Sequence, residues 1–328
     1  MIEEKIEITE SRIDLSELKT AAENIRAEIK KIIIGQDVAV DLLLTAILAD
    51  GHILIEGVPG VAKTVLAKLA AKSISAPFSR IQFTPDLMPS DVIGTSVFNE
   101  KTTEFEFKKG AVFANIVLID EINRAPAKTQ AALFEVMAER QITVDGITHK
   151  FSKPFTVIAT QNPIEHEGTY RLPEAQLDRF LFKIEINYPN LHEEVEIIKS
   201  KNSLTDSDET ATIKAVVKAK EIVKYQELAR QIHVEEAVME YIAKIVVATR
   251  TNAFLYLGAS PRASIAILNA SKAYAALQGR DFITPDDVKF IAPFVMKHRI
   301  LLTPEREMEG LTPAIVAKQI VESIEVPR

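Results

Sequence analysis

One short stretch, His52–Thr64, constrains the fold of this chain more than any other. An apolar run leads into a loop of glycine, proline and valine, the loop continues into Lys63-Thr64, and a helical pattern follows over 65–75. A loop of this kind between a strand and a helix turns its backbone N–H groups inward, and the helix N-terminus adds a partial positive charge. The lysine reaches the β- and γ-phosphates of a nucleotide, and the hydroxyl beside it binds Mg²⁺. The stretch therefore predicts a site for a nucleotide and Mg²⁺.

One position in this loop departs from the general pattern. Glycine normally precedes the lysine, and Ala62 stands there instead. Alanine tolerates a positive φ poorly, so the backbone at this point is an open question. A glycine-rich turn between a strand and a helix, with no nucleotide, is the alternative interpretation. Upstream, the apolar run Ile32–Ile34 and Gly35 belongs either to the core or to the wall of an adenine pocket.

A second informative stretch ends in two adjacent acids. Residues Ile116–Ile119 are all apolar, which is typical of a strand buried on both faces of a parallel sheet. Asp120 and Glu121 follow at its carboxyl end, where ligands bind in open α/β sheets. Asp120 would hold Mg²⁺, directly or through water, and Glu121 would polarise the water that attacks the γ-phosphate. Solvated acids that cap the next helix are the alternative.

Two more polar residues fit a phosphate site. Asn162 follows the apolar run Phe155–Ala159 and would orient the attacking water, although an asparagine before a proline is also a common turn residue. Arg262 lies in the first turn of a predicted helix, where a cation opposes the helix dipole unless an anion such as the γ-phosphate compensates. A surface arginine on a half-exposed helix is the alternative.

The pattern of apolar residues changes near residue 188. Residues 1–188 mix strand-like runs with helical periods, which predicts an α/β domain whose first 30 residues form a charged arm (1–13) and a helix from Asp14. Residues 191–328 lack strand-like runs and predict an all-helical domain with a polar loop at 202–210. The helices predicted in this second domain cover 192–201, 212–229, 234–250, 261–278 and 285–298.

Composition narrows the classes of function. The chain has 328 residues, 47% of them apolar and 26% charged, which is typical of a globular protein with a sizeable core. The net charge of −7 argues against a protein that coats nucleic acid, and the absence of cysteine excludes disulfides and cysteine-based metal sites. No apolar run approaches the length of a membrane span and the first residues do not resemble a secretory signal, so we expect a cytoplasmic protein.

Taken in order along the chain, these motifs resemble those of AAA+ ATPases. The resemblance is closer still to the MoxR family, in which alanine precedes the loop lysine, and it covers the chain from about Ile33 to Ile300. The segments that carry it are Gly57–Thr64, Asp120–Ala125, Ala159–Pro163, Leu172–Phe180 and Ser260–Arg262. The resemblance implies an α/β P-loop AAA+ core, with a central parallel sheet flanked by helices, followed by an all-α lid domain.

The resemblance also implies a role for each matching position. The catalytic residues would be Glu121 of Walker B, Asn162 as sensor 1, Arg262 as sensor 2 and Arg179 as an arginine finger. The finger would reach the nucleotide of the neighbouring subunit, and the lid would bring Arg262 over the phosphates and rotate after hydrolysis. Thr64 and Asp120 would hold Mg²⁺. The ATP contacts would be Ile34, Gly35, Gly57, Val58, Pro59, Gly60, Val61, Ala62, Lys63, Thr64 and Val65.

Some assignments stay open at this level. Gln82, Thr84 and Asp86 compete for the role of the polar residue that restrains the Walker B glutamate. Arg124, beside Walker B, is a second candidate for a contact with a neighbouring subunit. Two predicted β-hairpins match the helix-2 and pre-sensor-1 inserts of related AAA+ proteins, which typically face a central pore or a client. They cover about 95–107 and 142–149.

The function implied by the resemblance is that of an ATP-hydrolysing, chaperone-like remodeller. It would assemble into a ring, hexameric with ATP bound, and activate or remodel a partner protein. Family members often work with a protein bearing a von Willebrand factor A domain; this chain has no Asp-x-Ser-x-Ser motif, so such a partner would be a separate protein. The alternatives are a DNA-acting AAA+ motor or initiator, a slow nucleotide-dependent scaffold and a P-loop kinase.

Overall fold

A five-stranded parallel sheet forms the core of the molecule. The computed structural model describes residues 13–162, 170, 172–203 and 212–327. The strands of the described chain, of which five form the central sheet, are in order β1 (Ile53–Gly57), β2 (Phe78–Gln82), β3 (Gly94–Asn99), β4 (Glu104–Lys109), β5 (Ile116–Asp120), β6 (Gln141–Val144), β7 (Ile147–Lys150), β8 (Thr156–Gln161), β9 (Phe182–Ile186), β10 (Leu255–Leu257) and β11 (Leu301–Leu302). The central sheet has the order β2-β5-β8-β1-β9. Strand β8 therefore lies between β1, which leads into the phosphate loop, and β5, which ends in an acid.

Helices cover both faces of this sheet. Those of the first half are α1 (Ser16–Lys30), α2 (Asp37–Leu48), α3 (Lys63–Ser73), α4 (Pro89–Ile93), α5 (Ala127–Glu139) and α6 (Glu174–Leu177). Alternate strand residues enter two different hydrophobic clusters: Ile53 and Ile55 join the one that contains α1 to α3, and Leu54 joins the one that contains α5. Because successive side chains of a strand point to opposite faces, the two clusters mark the two faces of the sheet.

The second half of the described chain is helical, apart from the short antiparallel pair β10–β11. Its helices are α7 (Leu191–Ser203), α8 (Ala219–Arg230), α9 (Glu236–Thr251), α10 (Pro261–Leu277), α11 (Pro285–Met296), α12 (Pro304–Met308) and α13 (Pro313–Ser323). Helix α10 packs against α1 and α2, and α11 packs against β9. One hydrophobic cluster thus continues from the α1–α3 face of the sheet into α8–α11.

Helix α7 differs from the other long helices because none of its described side chains is buried. Leu191, Val195 and Ile198 recur at helical spacing and are all exposed. An amphipathic helix of this kind normally packs its apolar row against a core, and packing supplies most of the stability of a helix in a protein. Among the described residues, α7 is therefore a loosely packed element.

Strand β1 is fixed at its start by a buried histidine. The Nδ1 atom of His52 accepts the backbone N–H of Val157 at 3.0 Å, and its Nε2–H donates to the Met137 carbonyl at 3.1 Å. The imidazole is therefore neutral, with its proton on Nε2. Burial, with a smaller contribution from the charge of Arg140, lowers the pKa of His52 to about 3. This ring connects the start of β1 to β8 and to α5.

The two predicted hairpins form and contact each other. Strands β3 and β4 make one antiparallel pair and β6 and β7 the other. The Phe107 ring of the first stacks on the His149 ring of the second at 4.3 Å between centroids. Four large apolar side chains at the hairpins remain exposed: Val97, Phe98, Phe105 and Ile147.

Several element boundaries differ from those predicted. The first helix begins at Ser16, with Asp14 accepting the Ser16 N–H at 2.9 Å. The helix predicted from residue 212 begins only at Ala219, because Lys218 is extended and Glu221 accepts its backbone N–H. Helices α12 and α13 were not predicted, and neither was the short β10–β11 pair.

The predicted N-terminal arm (1–13) and polar loop (202–210) lie largely outside the described residues. In the part of the chain that is described, no helix is long and apolar enough to cross a membrane.

Candidate active site

The phosphate loop connects β1 to α3 and has two distinct requirements for glycine. A Cβ atom at Gly57 would lie 2.7 Å from the Ile186 carbonyl oxygen, so only glycine fits beside the end of β9. Gly60 has a φ of +88°, which a side chain disfavours. Ala62 also adopts the left-handed conformation, with φ 58° and ψ 20°, at the start of α3. The backbone that glycine usually provides before the lysine is therefore present, held in a strained form by alanine.

Lys63 and Thr64 emerge from the first turn of α3, close to the end of β5. The Lys63 amine donates to the Gly57 carbonyl within its own loop. The Thr64 hydroxyl lies 3.3 Å from Oδ1 of Asp120. A hydroxyl and a carboxylate are oxygen ligands of the kind that Mg²⁺ prefers, and such sites are usually completed by water and phosphate oxygens. Thr64 and Asp120 together fit a Mg²⁺ ion.

Asp120 is buried and held from three sides. Oδ1 faces the hydroxyls of Thr64 and of Thr160 on β8, both at 3.3 Å. Oδ2 accepts from Nε of Arg80 on β2 at 2.6 Å. The Arg80 side chain is 54% exposed, and the carboxylate that it pairs with is 7% exposed. One carboxylate oxygen therefore carries a cationic partner, while the other points towards the Thr64 hydroxyl.

Glu121 occupies a strained backbone position directly after β5. Its φ is 57° and its ψ 53°, values that are uncommon outside glycine and that persist where the surrounding structure enforces them. Its N–H donates to the Thr160 hydroxyl at 3.0 Å. Its Oε2 atom accepts from Nε2 of Gln82 and from the Arg124 guanidinium, each at 2.8 Å. Two side chains thus hold the carboxylate of the predicted catalytic residue.

The structure distinguishes among the three residues considered as the restraint on Glu121. Gln82, the last residue of β2, lies beside Asp120 in the register of the sheet and bonds to Glu121. Asp86 instead accepts from the Thr84 hydroxyl, and this bond lowers the pKa of Asp86. Gln82 is therefore the residue of the three that contacts the glutamate.

Asn162 follows β8 directly, at the carboxyl end of the sheet. Since β8 is the strand between β1 and β5, Asn162 leaves the sheet between the phosphate loop and the acids. This placement agrees with a side chain that orients a water molecule near a γ-phosphate.

A cavity of about 450 Å³ lies beside the phosphate loop. Ile34 lines it, as do Pro59–Ala62 and Val65, whereas Gly35 lines a neighbouring pocket and packs against Glu193. The remaining walls are Ile32, Ile33, Gln36, Asn187, Tyr188, Pro189, Glu194, Ile197 and Ser200. Its mostly apolar walls and its position next to the loop suit the base and ribose of a nucleotide.

The two predicted arginines are related through Asp178. Arg179 is exposed and follows Asp178, whose Oδ2 lies 3.4 Å from the Arg262 guanidinium. The Arg262 side chain is 73% exposed. Neither arginine lines the cavity. Arg262 is therefore paired with the residue directly before Arg179.

Comparisons with known proteins agree with this arrangement. The model of the ATPase family associated with various cellular activities (AAA) matches residues 52–182, and that of the AAA lid domain matches residues 247–324. The chaperone MoxR1 of Mycobacterium tuberculosis is 44% identical over 310 residues, which cover 92% of this chain and 81% of the relative. This chain belongs to the MoxR family of AAA+ ATPases.

Other matches extend over nearly the whole of this MoxR-family chain. The uncharacterized protein YeaC of Bacillus subtilis is 46% identical over 300 residues, which cover 91% of this chain and 92% of YeaC. A crystal structure of a candidate ATPase from Cytophaga hutchinsonii has a TM-score of 0.87 at 37% identity and covers 96% of this chain and 97% of that one. The predicted family and the predicted fold class, an AAA+ core followed by a lid, are both confirmed.

Four residues around the MoxR site were not predicted from the sequence: Arg80, Thr160, Asp178 and Arg299. Arg80 lies two residues before Gln82 on β2 and so shares its face of the strand, which is a signal that could have been used. Thr160 lies near the end of a buried apolar strand, and a polar residue at such a position is a sequence signal for a functional site. Asp178 and Arg299 are 121 residues apart, and no local pattern relates them.

Proposed function

We propose that this chain hydrolyses ATP with Mg²⁺ in a ring of identical subunits, a hexamer when ATP is bound, and that the ring remodels or activates a partner protein. The observation that carries the proposal is the edge of the parallel sheet. There the phosphate loop, the pair Asp120-Glu121 and Asn162 meet beside a cavity of nucleotide size. Ligands of open α/β sheets bind at this edge.

The proposed chemistry uses groups that lie at this edge. The loop N–H groups and Lys63 would bind the β- and γ-phosphates and balance their charge. Thr64 and Asp120 would hold Mg²⁺, which neutralises charge on the phosphate oxygens when it is bound. Glu121 would accept a proton from the attacking water, and Asn162 would orient that water.

The contacts of Glu121 suggest that this state is a resting one. Its Oε2 atom already accepts two hydrogen bonds, from Gln82 and from Arg124, and the second is an ion pair. These two donors occupy the lone pairs of Oε2, which are then not available to the attacking water. We propose that Glu121 exchanges at least one of these partners for water before hydrolysis.

Assembly would supply the remaining positive charge. Arg179 and Arg262 are exposed, and Arg262 pairs with Asp178, the residue directly before Arg179. An arginine given by a neighbour stabilises the developing charge of phosphoryl transfer and makes hydrolysis depend on assembly. We propose that Arg179 acts in this way; the role of Arg262 as sensor 2 stays a prediction.

The proposed client is a protein. A relative with 44% identity is named a chaperone, and the exposed side chains Phe98, Phe105 and Ile147 on the two hairpins offer an apolar surface for such a contact. A separate protein with a von Willebrand factor A domain is the proposed partner. The cytoplasmic location and the domain boundary at 188–191 stay predictions.

Substitution of Glu121 tests the hydrolytic part of the proposal. Glu121→Gln should bind ATP with Mg²⁺ but lose turnover, by about 100-fold or more. Asp86→Asn, which changes an exposed carboxylate of the same region that bonds to Thr84, is the matched control and should retain turnover. Absence of turnover in the unsubstituted protein, or an unchanged rate in Glu121→Gln, would refute the proposed chemistry and favour the slow scaffold.

The same variant tests the client. The Glu121→Gln protein, held with ATP, is cross-linked in cells and compared with Glu121→Gln that also carries Phe105→Ser. We expect the client proteins to be cross-linked to Glu121→Gln and not to the variant that also carries Phe105→Ser. ATP-dependent assembly should be the same for both variants. Stimulation of ATP turnover by DNA would instead favour the DNA-acting motor.

A further inference from the structure

The most heavily bonded side chain at the junction of core and lid is a buried arginine. Arg299, three residues after the end of α11, is 4% exposed. Its guanidinium makes five hydrogen bonds: from Nε to Asp178 Oδ1, and to the carbonyls of Val295, Leu181, Asp178 and Phe180. Four of the five reach the segment 178–181, at 2.7–3.3 Å. One lid residue therefore donates four of its five hydrogen bonds to one short turn of the core.

That turn carries Arg179. It links α6 to β9, and in its middle three backbone carbonyls converge on the guanidinium of Arg299. Backbone carbonyls bonded to a buried, planar donor fix the local chain path, because moving them would leave the guanidinium without partners in an apolar setting. The direction in which Arg179 leaves the surface is thus determined by a residue of the lid.

Neighbouring lid residues reinforce the same connection. The His298 ring donates from Nε2 to the Phe180 carbonyl at 2.9 Å, and Lys297 pairs with Glu185 on β9 at 2.9 Å. The second oxygen of Asp178 faces Arg262 of α10. Two lid segments therefore engage the residue directly before the predicted finger: α10 through Arg262, and the turn after α11 through Arg299.

We propose that Arg299 is a positioning residue for the arginine finger Arg179, so that the lid of each subunit sets the geometry of the catalytic group which the subunit offers to its neighbour. The inference rests on the proposed function, because it requires that Arg179 acts on a neighbouring nucleotide. A displacement of the lid then reaches the neighbouring site through Asp178 and its backbone, with no change at the subunit's own phosphate loop.

A purely structural role is the competing explanation, since any buried arginine stabilises the fold. Arg280 offers a matched control. It is also a partly buried lid arginine and makes a bidentate pair with Asp287, at 2.5 and 2.7 Å, but this pair lies within the lid. Arg280→Met should lower thermal stability and keep turnover in the folded protein. Arg299→Met should lower turnover about 10- to 100-fold in protein that is still folded, with unchanged ATP affinity, as expected for a misplaced catalytic group.

Mixed assemblies separate the two explanations. Lys63→Ala subunits have a defective loop and an intact finger, and Arg179→Ala subunits have the reverse. Mixed with each other, they should recover part of the turnover. If Arg299→Met damages only the finger, its mixture with Lys63→Ala should also recover turnover, and its mixture with Arg179→Ala should not.

The outcomes are distinct. Recovery of Arg299→Met by Arg179→Ala, or failure of recovery by Lys63→Ala, would overturn the positioning role, since the defect would then lie at the subunit's own loop or throughout its fold. Failure of the Lys63→Ala and Arg179→Ala pair itself would overturn the neighbour-supplied finger, and with it this inference. If Arg299→Met does not fold, Arg299→Lys takes its place in the same mixtures, because lysine keeps the charge towards Asp178 and loses the fork that binds the carbonyls.

Discussion

Acidification should destabilise this chain through His52, the buried ring at the start of β1. In the folded protein its Nδ1 atom is occupied as an acceptor of the Val157 N–H, so a second proton would break that bond and place a charge in the core. The pKa of His52 falls from 6.5 to about 3 on folding. At mildly acid pH the His52 ring therefore binds a proton in the unfolded chain but not in the folded one.

The sign and size follow from these two pKa values. Stability is fully present above the unfolded pKa of 6.5 and decreases as the pH falls towards about 3. A pH of about 5 is roughly 1.5 units below the pKa of the ring in the unfolded chain. At about 1.36 kcal/mol per unit, the free energy of unfolding therefore falls by about 2 kcal/mol. His298, whose pKa burial lowers well below 6.5, adds a loss of the same sign.

Urea unfolding at about pH 7.5 and at about pH 5 measures this loss, and His52→Asn isolates the contribution of one ring. Asparagine keeps an acceptor for the Val157 N–H and cannot titrate, so the variant should lose about 2 kcal/mol less than the unsubstituted chain between the two pH values. Equal losses in the two proteins would refute the reasoning. So would an NMR titration in which the His52 ring takes up a proton above about pH 5, a test that does not depend on the variant folding.

Three other substitutions have expected outcomes. Ala62→Gly should raise the free energy of unfolding by up to about 1 kcal/mol, because relief of the left-handed alanine exceeds the backbone entropy of glycine; chemical denaturation that shows a loss would contradict this. Arg80→Gln should lower the Mg²⁺ concentration for half-maximal ATP turnover, because Asp120 loses the cation that competes with Mg²⁺. The expected change is a few-fold, which corresponds roughly to the free energy of a half-exposed ion pair. An unchanged or higher Mg²⁺ requirement would argue against Asp120 as a Mg²⁺ ligand. Asp287→Ala should lower the stability of the lid by about 3 kcal/mol, since Arg280 loses a bidentate partner, and calorimetry should show a lower Tm.

The sequence was most informative where function and fold are encoded in neighbouring residues. The phosphate loop, the apolar run of β5 with its two acids and the hairpins could be predicted because each depends on a local pattern of a few residues. Helices α12 and α13 begin at Pro304 and Pro313, each directly after a threonine, as α11 begins at Pro285 after Thr284, so this local signal could have located them.

Other features depend on contacts between distant segments. The bond of Gln82 to Glu121 arises because β2 and β5 are adjacent, which is a property of the sheet order and not of either strand. The placement of Arg262 beside Asp178 likewise follows from how the lid packs, and helical periodicity carries no information about it. Such contacts require the three-dimensional arrangement.

The loose packing of α7 has a consequence for how the nucleotide enters and leaves. Displacing the whole lid would separate α10 from α1 and α2 and expose side chains of their shared cluster, at about 1.5–3 kcal/mol for each large one. Helix α7 forms one wall of the cavity through Glu194, Ile197 and Ser200, yet none of its described side chains is buried. Moving this wall would expose almost no core, so we expect that a displacement of α7 opens the cavity at a lower cost in free energy than a displacement of α10.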